Sequence, residues 1–485
     1  MSEKEPKIMK RLIDQELKNW KKSNGRKSLI LRGARQVGKT FSVRKLGKSY
    51  IDFYEINLEK RAELHSIFER NLDPVRILRD LSVDRGAPIR PGETLLFFDE
   101  IQVCPQAMLS LRYFYEEMPE LHIIGAGSLL EFAIEQIGLP VGRVQTLTIY
   151  PVSFAEFLVA RGQTLLLEAI YEQTSLSKVV QDNAVRFLSE YFAIGGLPEV
   201  VANWVSTEQP LEVKESLSSI VNAYRQDFEK YAKKSQLKYL NLLLQHVPLQ
   251  VGKKFKFQGI GEYRKRELAP CLELMEKAHI IHMIYHTSCQ GIPIGAQADL
   301  EKYKVMLFDV AITQQLLGLD IKGWFLKPGD AFINQGELVE SFIGQELMAY
   351  SSPDARHSLF YWQRESRGSE AEVDYVSVIK GEIIPIEVKA GKGSTLKSLH
   401  SFLSSHPKSP YGIKISLAER STFEKVVSIP LYAAFEIVEG GRERVRCLLS
   451  AEGNSEKKDK NFGKLHGTVH FKSDIISPID EQWDI

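Results

Sequence analysis

Residues 33 to 40 read Gly-Ala-Arg-Gln-Val-Gly-Lys-Thr, two glycines followed at once by a lysine and a hydroxyl. This spacing suits a polyanion. Gly33 and Gly38 accept backbone angles that turn successive N–H groups inward, and those donors, with the positive end of a following helix, can cradle phosphates. Lys39 would reach the β and γ phosphates of ATP, and the Thr40 hydroxyl would sit on magnesium. On this reading Gly33, Ala34, Arg35, Gln36, Val37, Gly38, Lys39 and Thr40 form one ATP-binding loop.

A second group follows an apolar run. TLLFFDE, residues 94 to 100, ends on Asp99 and Glu100, which places two carboxylates at the carboxyl end of a buried strand, the edge where open α/β sheets bind ligands. Asp99 would hold magnesium, and Glu100 would orient and deprotonate an attacking water, the arrangement hydrolysis requires. Ser128, closing LHIIGAGS on a strand able to lie between the first two, would bring a hydroxyl near the γ phosphate; it also suits a helix N-cap. Arg143, after a Gly/Pro turn, is placed either to neutralise transition-state charge in its own or a neighbouring subunit or to form a surface ion pair.

A third constellation lies far downstream. Asp374 in AEVDYV and Glu387 with Lys389 in IIPIEVKA make a D-x12-ExK pattern. Residues two apart on a strand share a face, so Glu387 and Lys389 project together, and with Asp374 they could bind a second Mg2+ or Mn2+ and polarise a phosphodiester. A third carboxylate is expected from the preceding helix, Glu340 or in reserve Glu346. The competing reading is an ion pair on a charged edge strand.

These groups need elements to hold them. Residues 28 to 150 alternate strands (28–32, 51–57, 94–100, 121–127, 144–150) with helical segments, the pattern of a parallel sheet covered on both faces. Amphipathic helices follow to about residue 235, a helical lid. Residues 236 to 326 read as helices and then a strand pair, a winged-helix-like unit. The turn residues of FLKPGDAFINQG mark a linker, and 327 to 448 read as a separate α/β unit. Residues 1 to 27 form an N-terminal helical segment, and 449 to 485 a polar tail.

Composition excludes several classes. The 485 residues are 44% apolar and 26% charged, a globular balance. With 63 basic against 62 acidic side chains, no whole-molecule field draws the chain to nucleic acid or lipid, so such binding must be local. Four scattered cysteines without a CxxC pair suggest neither zinc site nor disulfide framework. The N-terminus lacks a signal peptide's apolar core, and no stretch of about 18 apolar residues occurs. A cytoplasmic protein without membrane association is expected.

The ordered pieces LRGARQVGKT, LLFFDEIQ, GAGSLL, GRVQTLTIYPVSFAEF, YFAIGGLPEVV, GIPIGAQADLEKYKVMLFDVAI and FYWQRESRGSEAEVDYV resemble a prokaryotic AAA+ ATPase family. In that family an AAA ATPase domain precedes DUF4143, a domain of unknown function related to PD-(D/E)xK nucleases. The resemblance covers residues 10 to about 405. It implies a P-loop ATPase of RecA-like fold with helical lid and winged helix, then a nuclease-like α/β domain. It also implies that Gly196 and Pro198 contact nucleotide; from the residues alone Gly195 to Pro198 is an interhelical turn.

Lys253, Lys254, Lys256, Arg264, Lys265 and Arg266 against Glu262 and Glu267, with Phe255, Phe257 and Tyr263 interleaved, could track a DNA backbone or form a solvated face. Two functions are expected from these readings. One is an ATPase coupled to a domain acting on DNA; the other is a nucleotide switch whose nuclease-like fold is an inactive protein-interaction scaffold. A homo-oligomer fits a trans-acting Arg143.

Overall fold

The five apolar runs of the first third become five parallel strands: β1 (Ser28–Arg32), β2 (Asp52–Asn57), β3 (Thr94–Asp99), β4 (His122–Ala126) and β5 (Val144–Thr148). The computed structural model describes residues 9–138, 142–172, 176–355, 357–364, 371–391 and 396–450. The tail expected from 449 thus lies outside the described residues but for its first two. Every residue of β3 and β4 is buried, as continuous apolar runs in a parallel sheet require.

The strand order is β2-β3-β4-β1-β5. β4 has β1 on one side and β3 on the other, so the segments leaving β1, β3 and β4 open side by side at one sheet edge. The chain order reverses there, which creates a crevice outside the strand ends.

Past Pro151 the helices Phe154–Ala160, Lys178–Ile194, Pro198–Thr207 and Pro210–Tyr231 follow. The first starts at a capping box in which Ser153 and Glu156 satisfy each other's backbone N–H groups. Next come helices Lys234–His246 and Lys265–Lys277 and the antiparallel pair β6 (Ile281–Thr287) and β7 (Ala298–Leu307). Lys254 bridges to Lys304 on the outer side of β7.

The stretch expected to be a linker is largely exposed and is pinned at Phe332. Trp324 and Phe332 are buried and both meet the ring of Phe192. Their large apolar area anchors the chain just before the stretch and within it.

The C-terminal elements are helix Gly336–Tyr350, β8 (Leu359–Gln363), β9 (Glu372–Val373), β10 (Tyr375–Ile379), β11 (Glu382–Val388), helix Lys397–Ser405, β12 (Gly412–Ser416), β13 (Ser421–Phe423) and β14 (Val426–Pro430). They form one sheet in the order β10-β11-β12-β14-β13 and a second in the order β7-β6-β8-β9. This second sheet crosses the boundary expected at residue 327, because β8 pairs in parallel with β6. Through Leu448 the chain is one compact unit.

Helix Gly336–Tyr350 is buried from Leu338 onward, so its polar residues must find partners. Glu346 does so by accepting from the Phe154 N–H, 3.1 and 3.2 Å from its two oxygens. Gln345 accepts from Val310 N–H at 3.0 Å and donates to the Tyr191 hydroxyl at 2.7 Å. The helix rotation thus sends Glu346, the reserve candidate for the downstream carboxylate cluster, to the start of Phe154–Ala160 instead.

Burial lifts the Glu346 carboxyl to about 8. A group raised this way stabilises the fold fully below its ordinary range near 4.5 and loses that contribution as pH rises through about 8. Wild type should therefore lose stability relative to Glu346→Gln between pH 5 and 9, with a slope of at most about 1.4 kcal/mol per pH unit. Urea unfolding of both proteins at the two pH values measures the difference; parallel pH profiles would exclude the assignment.

Candidate functional site

β1 delivers its last residue, Arg32, straight into the glycine loop, and helix Lys39–Gly47 leaves it. Gly33 has φ +133° and Gly38 φ +95°, angles at which a side chain is strained. A Cβ on Gly33 would stand 2.2 Å from the Ile149 carbonyl oxygen. The Lys39 ammonium is buried and donates to the carbonyls of Gly33 and Ala34 at 2.9 and 2.7 Å. Burial lowers it to about 8, against the pull of Glu100 and Asp99. A polyanion in the loop would reverse that shift by restoring countercharge.

Across the crevice, Asp99 ends β3 and is 7% exposed. The Thr40 hydroxyl lies 3.2 Å from each of its oxygens, and Asn57 Nδ2, at the end of neighbouring β2, donates to it at 3.4 Å. Burial and the adjacent Glu100 raise the Asp99 carboxyl, a strain that a cation would relieve. The donor set of hydroxyl and carboxylate is one that magnesium takes. The residues thus fit both nucleotide and metal.

Glu100 has φ +51°, a left-handed conformation uncommon outside glycine and frequent at functional turns. Gln102 Nε2 donates to its Oε2 at 2.7 Å. Ser128 is buried two residues beyond β4, at the same sheet edge.

Arg143 departs from this group. It precedes β5, whose Val144 is in register with Ser28 at the amino end of β1. It lies at the sheet edge opposite the loop, a strand length of about 16 Å away. Its guanidinium pairs with Glu116 at 2.9 Å and is half exposed. A role in its own subunit is not available in this geometry; the surface ion pair is what forms.

The loop is braced by a residue outside every motif. Arg11 is 5% exposed and donates to Val37 O at 2.9 Å, to Tyr150 O at 2.8 Å and to Glu156 Oε1 at 2.9 Å. Glu156 also accepts from the N–H groups of Leu12 and Ser153. A single buried ion pair thus ties the N-terminal segment, the phosphate loop and the first helix after the sheet. No local pattern marks Arg11.

The helices that follow the sheet meet the loop through three side chains. The Tyr224 hydroxyl of helix Pro210–Tyr231 donates to Arg35 O at 2.7 Å, and the Arg35 guanidinium pairs with Asp227 of the same helix. Pro198 lies against the loop, 3.4 Å from where a Cβ of Gly38 would be. Gly196 is committed elsewhere. Its N–H donates to the buried Asp309 at 2.7 Å and its carbonyl accepts from Val152 at 2.6 Å, so its backbone groups serve an internal joint.

The downstream constellation also assembles. Glu340, Asp374 and Glu387 come together, and Lys389 Nζ is 2.6 Å from Glu387 Oε1. β11 is flanked by β10 and β12 and Glu387 is 4% exposed, so the expected charged edge strand is not what these residues form. Two residues join that were not anticipated: Lys304 of β7 and Glu372 of β9. Lys304 is fully buried, 2.9 Å from Glu340, 2.6 Å from Glu372 and 4.0 Å from Asp374. A lysine inside the apolar alternation of YKVMLFD was the available signal. Among the described residues no group of three or more His, Cys, Asp or Glu has a metal-holding arrangement, and a second metal at this cluster is not supported.

The basic segment runs from beyond helix Lys234–His246 into the first turn of helix Lys265–Lys277. Lys253, Lys254, Lys256, Arg264, Lys265 and Arg266 are exposed. Lys253 faces Glu337 at 3.8 Å and Lys265 pairs with Glu301. Glu267 caps its own helix. Among the described residues no helix is long and apolar enough to cross a membrane.

Three stretches of the chain match family models. Residues 25–158 match the AAA domain, residues 185–322 a domain of unknown function, DUF8612, and residues 335–432 a domain of unknown function, DUF4143. An AAA-type, P-loop, ATP-binding domain followed by DUF4143 is the order that the resemblance implied. The chain is similar to the solved structure of the Aeropyrum pernix Orc1 protein in complex with DNA, at 12% identity over 63% of this chain and 92% of that one, with a TM-score of 0.24. No curated protein matches the chain.

Breaking a buried ion pair from one side costs about 3 to 5 kcal/mol. Arg11→Ala is expected to lose that much stability in urea unfolding and to weaken ATP binding at least tenfold. Arg11→Lys should recover little, since an ammonium does not span three acceptors in the guanidinium's planar fork. Fluorescent-nucleotide titration of a folded Arg11→Lys protein with unchanged affinity would remove the bracing role.

Proposed function

We propose that this chain, with an AAA domain at residues 25–158, hydrolyses ATP with magnesium and transmits its nucleotide state through the helical lid to the elements that follow. The reading is carried by one observation: the glycine loop, Thr40 and the Asp99–Glu100 pair meet at the carboxyl edge of the sheet, with Thr40 in hydrogen-bond contact with Asp99.

In this mechanism the N–H groups of residues 33–40 bind the phosphates and Lys39 neutralises the β and γ groups. Thr40 and Asp99 would hold magnesium, which when bound would supply further positive charge to offset that of the phosphates. Glu100 accepts a proton from the attacking water, and Gln102, donating to its Oε2, orients the carboxylate. Ser128 serves as a polar contact near the γ phosphate. A role for Arg143 in hydrolysis requires a neighbouring subunit, hence a homo-oligomer.

Transmission is supported by Arg35, which belongs to the loop and pairs with the lid residue Asp227. A γ phosphate competing for that guanidinium would loosen the lid contact. Calorimetry and phosphate release test the whole reading. Lys39→Ala should abolish ATP binding, whereas Glu100→Gln should bind ATP and lose turnover by about 10²-fold or more. Retained turnover in Glu100→Gln would move the base elsewhere.

For the elements after the lid, the exposed cations between Lys253 and Arg266 support contact with a DNA backbone. Replacing Lys254, Lys256, Arg264 and Arg266 by Gln should then reduce the slope of log affinity against log salt, by about 0.9 for each phosphate left unneutralised. An unchanged slope with duplex DNA would return the segment to a solvated face. The second reading, a switch with a scaffold rather than a nuclease at its C-terminal end, is favoured by the Lys304 ammonium standing among the carboxylates.

A further inference from the structure

The D-x12-ExK pattern implies carboxylates gathered around a divalent cation, with a helix carboxylate as one ligand. The residues present do not fit that arrangement at Glu340. Glu340 Oε1 is 2.9 Å from Lys304 Nζ, and Glu372 Oε1 is 2.6 Å from the same nitrogen. The lysine side chain has no exposure, and its ammonium lies 5.2 Å from the centre of the Tyr361 ring. The neighbouring β-bridge from Lys254 and the pairing of β7 with β6 hold its backbone.

A divalent ion ligated by Glu340 would stand within a few ångströms of this fully buried ammonium, where the low effective dielectric screens the repulsion little. The remaining oxygens divide differently. Asp374 Oδ2 accepts from Val388 N–H at 2.7 Å, Glu387 Oε1 faces Lys389, and Glu387 Oε2 is buried without a hydrogen-bond partner. Lys389 thus faces the Asp374–Glu387 side, while Lys304 serves the Glu340–Glu372 side.

We infer that Lys304 is a built-in counter-cation that takes the place of a divalent ion between Glu340 and Glu372, and that removing its charge turns this position into a divalent-cation site. The two functions of a metal separate here. An ammonium balances carboxylate charge and fixes three segments of chain, but it offers no open coordination position and cannot generate a metal-bound hydroxide. Glu340 is accordingly a structural partner of Lys304 and not a metal ligand. This inference does not rest on ATP binding.

The test uses nucleotide-free full-length protein and Mn2+, followed by electron paramagnetic resonance of the free ion. Lys304→Met is expected to bind one equivalent of Mn2+ more than wild type, at an affinity at least about tenfold above any wild-type site, and Lys304→Met/Glu340→Gln should lose that equivalent. A folded Lys304→Met protein that gains no Mn2+ overturns the inference. Should the variant not fold, wild type and Glu340→Gln decide the matter alone. Equal Mn2+ stoichiometry in the two supports the inference, and an equivalent present in wild type but missing in Glu340→Gln overturns it. Thermal melts establish folding in each case.

Discussion

A loop that turns its N–H groups toward an anion must turn carbonyls the other way, and those carbonyls need donors in a place water does not reach. This constraint organises the AAA domain. Lys39 satisfies Gly33 and Ala34 from within the loop, and Arg11 satisfies Val37 from behind it. Because Arg11 is itself buried, it needs Glu156, and because Glu156 is buried, it needs the two N–H groups that fix the start of helix Phe154–Ala160. The requirement of one short loop thus propagates through elements nearly 150 residues apart in sequence. Each link is a polar group whose unmet desolvation would cost more than the hydrogen bond contributes.

The same logic extends past the helices that follow the sheet. Asp309 caps the helix that follows β7 and also accepts from Gly196 N–H. Gly195 has no room for a side chain there, since a Cβ would stand 2.4 Å from Asp309 Oδ1. Glu346 caps Phe154–Ala160 from the C-terminal side. Burial raises both carboxyls, Asp309 to about 6 and Glu346 to about 8. These joints connect the segment after the sheet to helices of the later units by single buried acceptors instead of broad apolar faces alone. Such contacts are short-ranged and directional, so a small rotation would break them outright.

What could be read from the sequence follows from the range of the forces involved. β1 to β5 were legible because an apolar run bounded by turns specifies a buried strand locally, and the glycine loop because its function depends on adjacent backbone angles. Asp99, Glu100 and Ser128 followed, since strand ends of a parallel sheet share one edge. Asn57 had the same signal, a polar residue closing a strand in register with Asp99. Arg11, Asp227 and Asp309 were not legible. Their partners lie 145, 192 and 113 residues away, and nothing in their neighbours encodes the pairing. The anchoring of the stretch around Pro328 was not legible for a related reason: turn residues describe local bending, whereas Trp324 and Phe332 are held by a distant ring.

Lys304 brings these strands together. Its spacing pattern belongs to an ordinary strand, yet β7 carries it into a cluster built from Gly336–Tyr350, β9 and β11, so its position is a product of topology. A lone lysine there would be expelled or neutralised by desolvation; four neighbouring carboxylates would repel one another. Together they can remain, because each offsets the other's penalty, and burial that lowers the lysine is outweighed by Glu340, Asp374 and Glu372. A carboxylate motif recognised from spacing therefore specifies where charge collects, while the identity of the countercharge depends on what the rest of the fold delivers to that point. In this chain the delivery comes from the strand pair upstream, which makes the sheet shared by β6, β7 and β8 part of the site's chemistry as well as of its architecture.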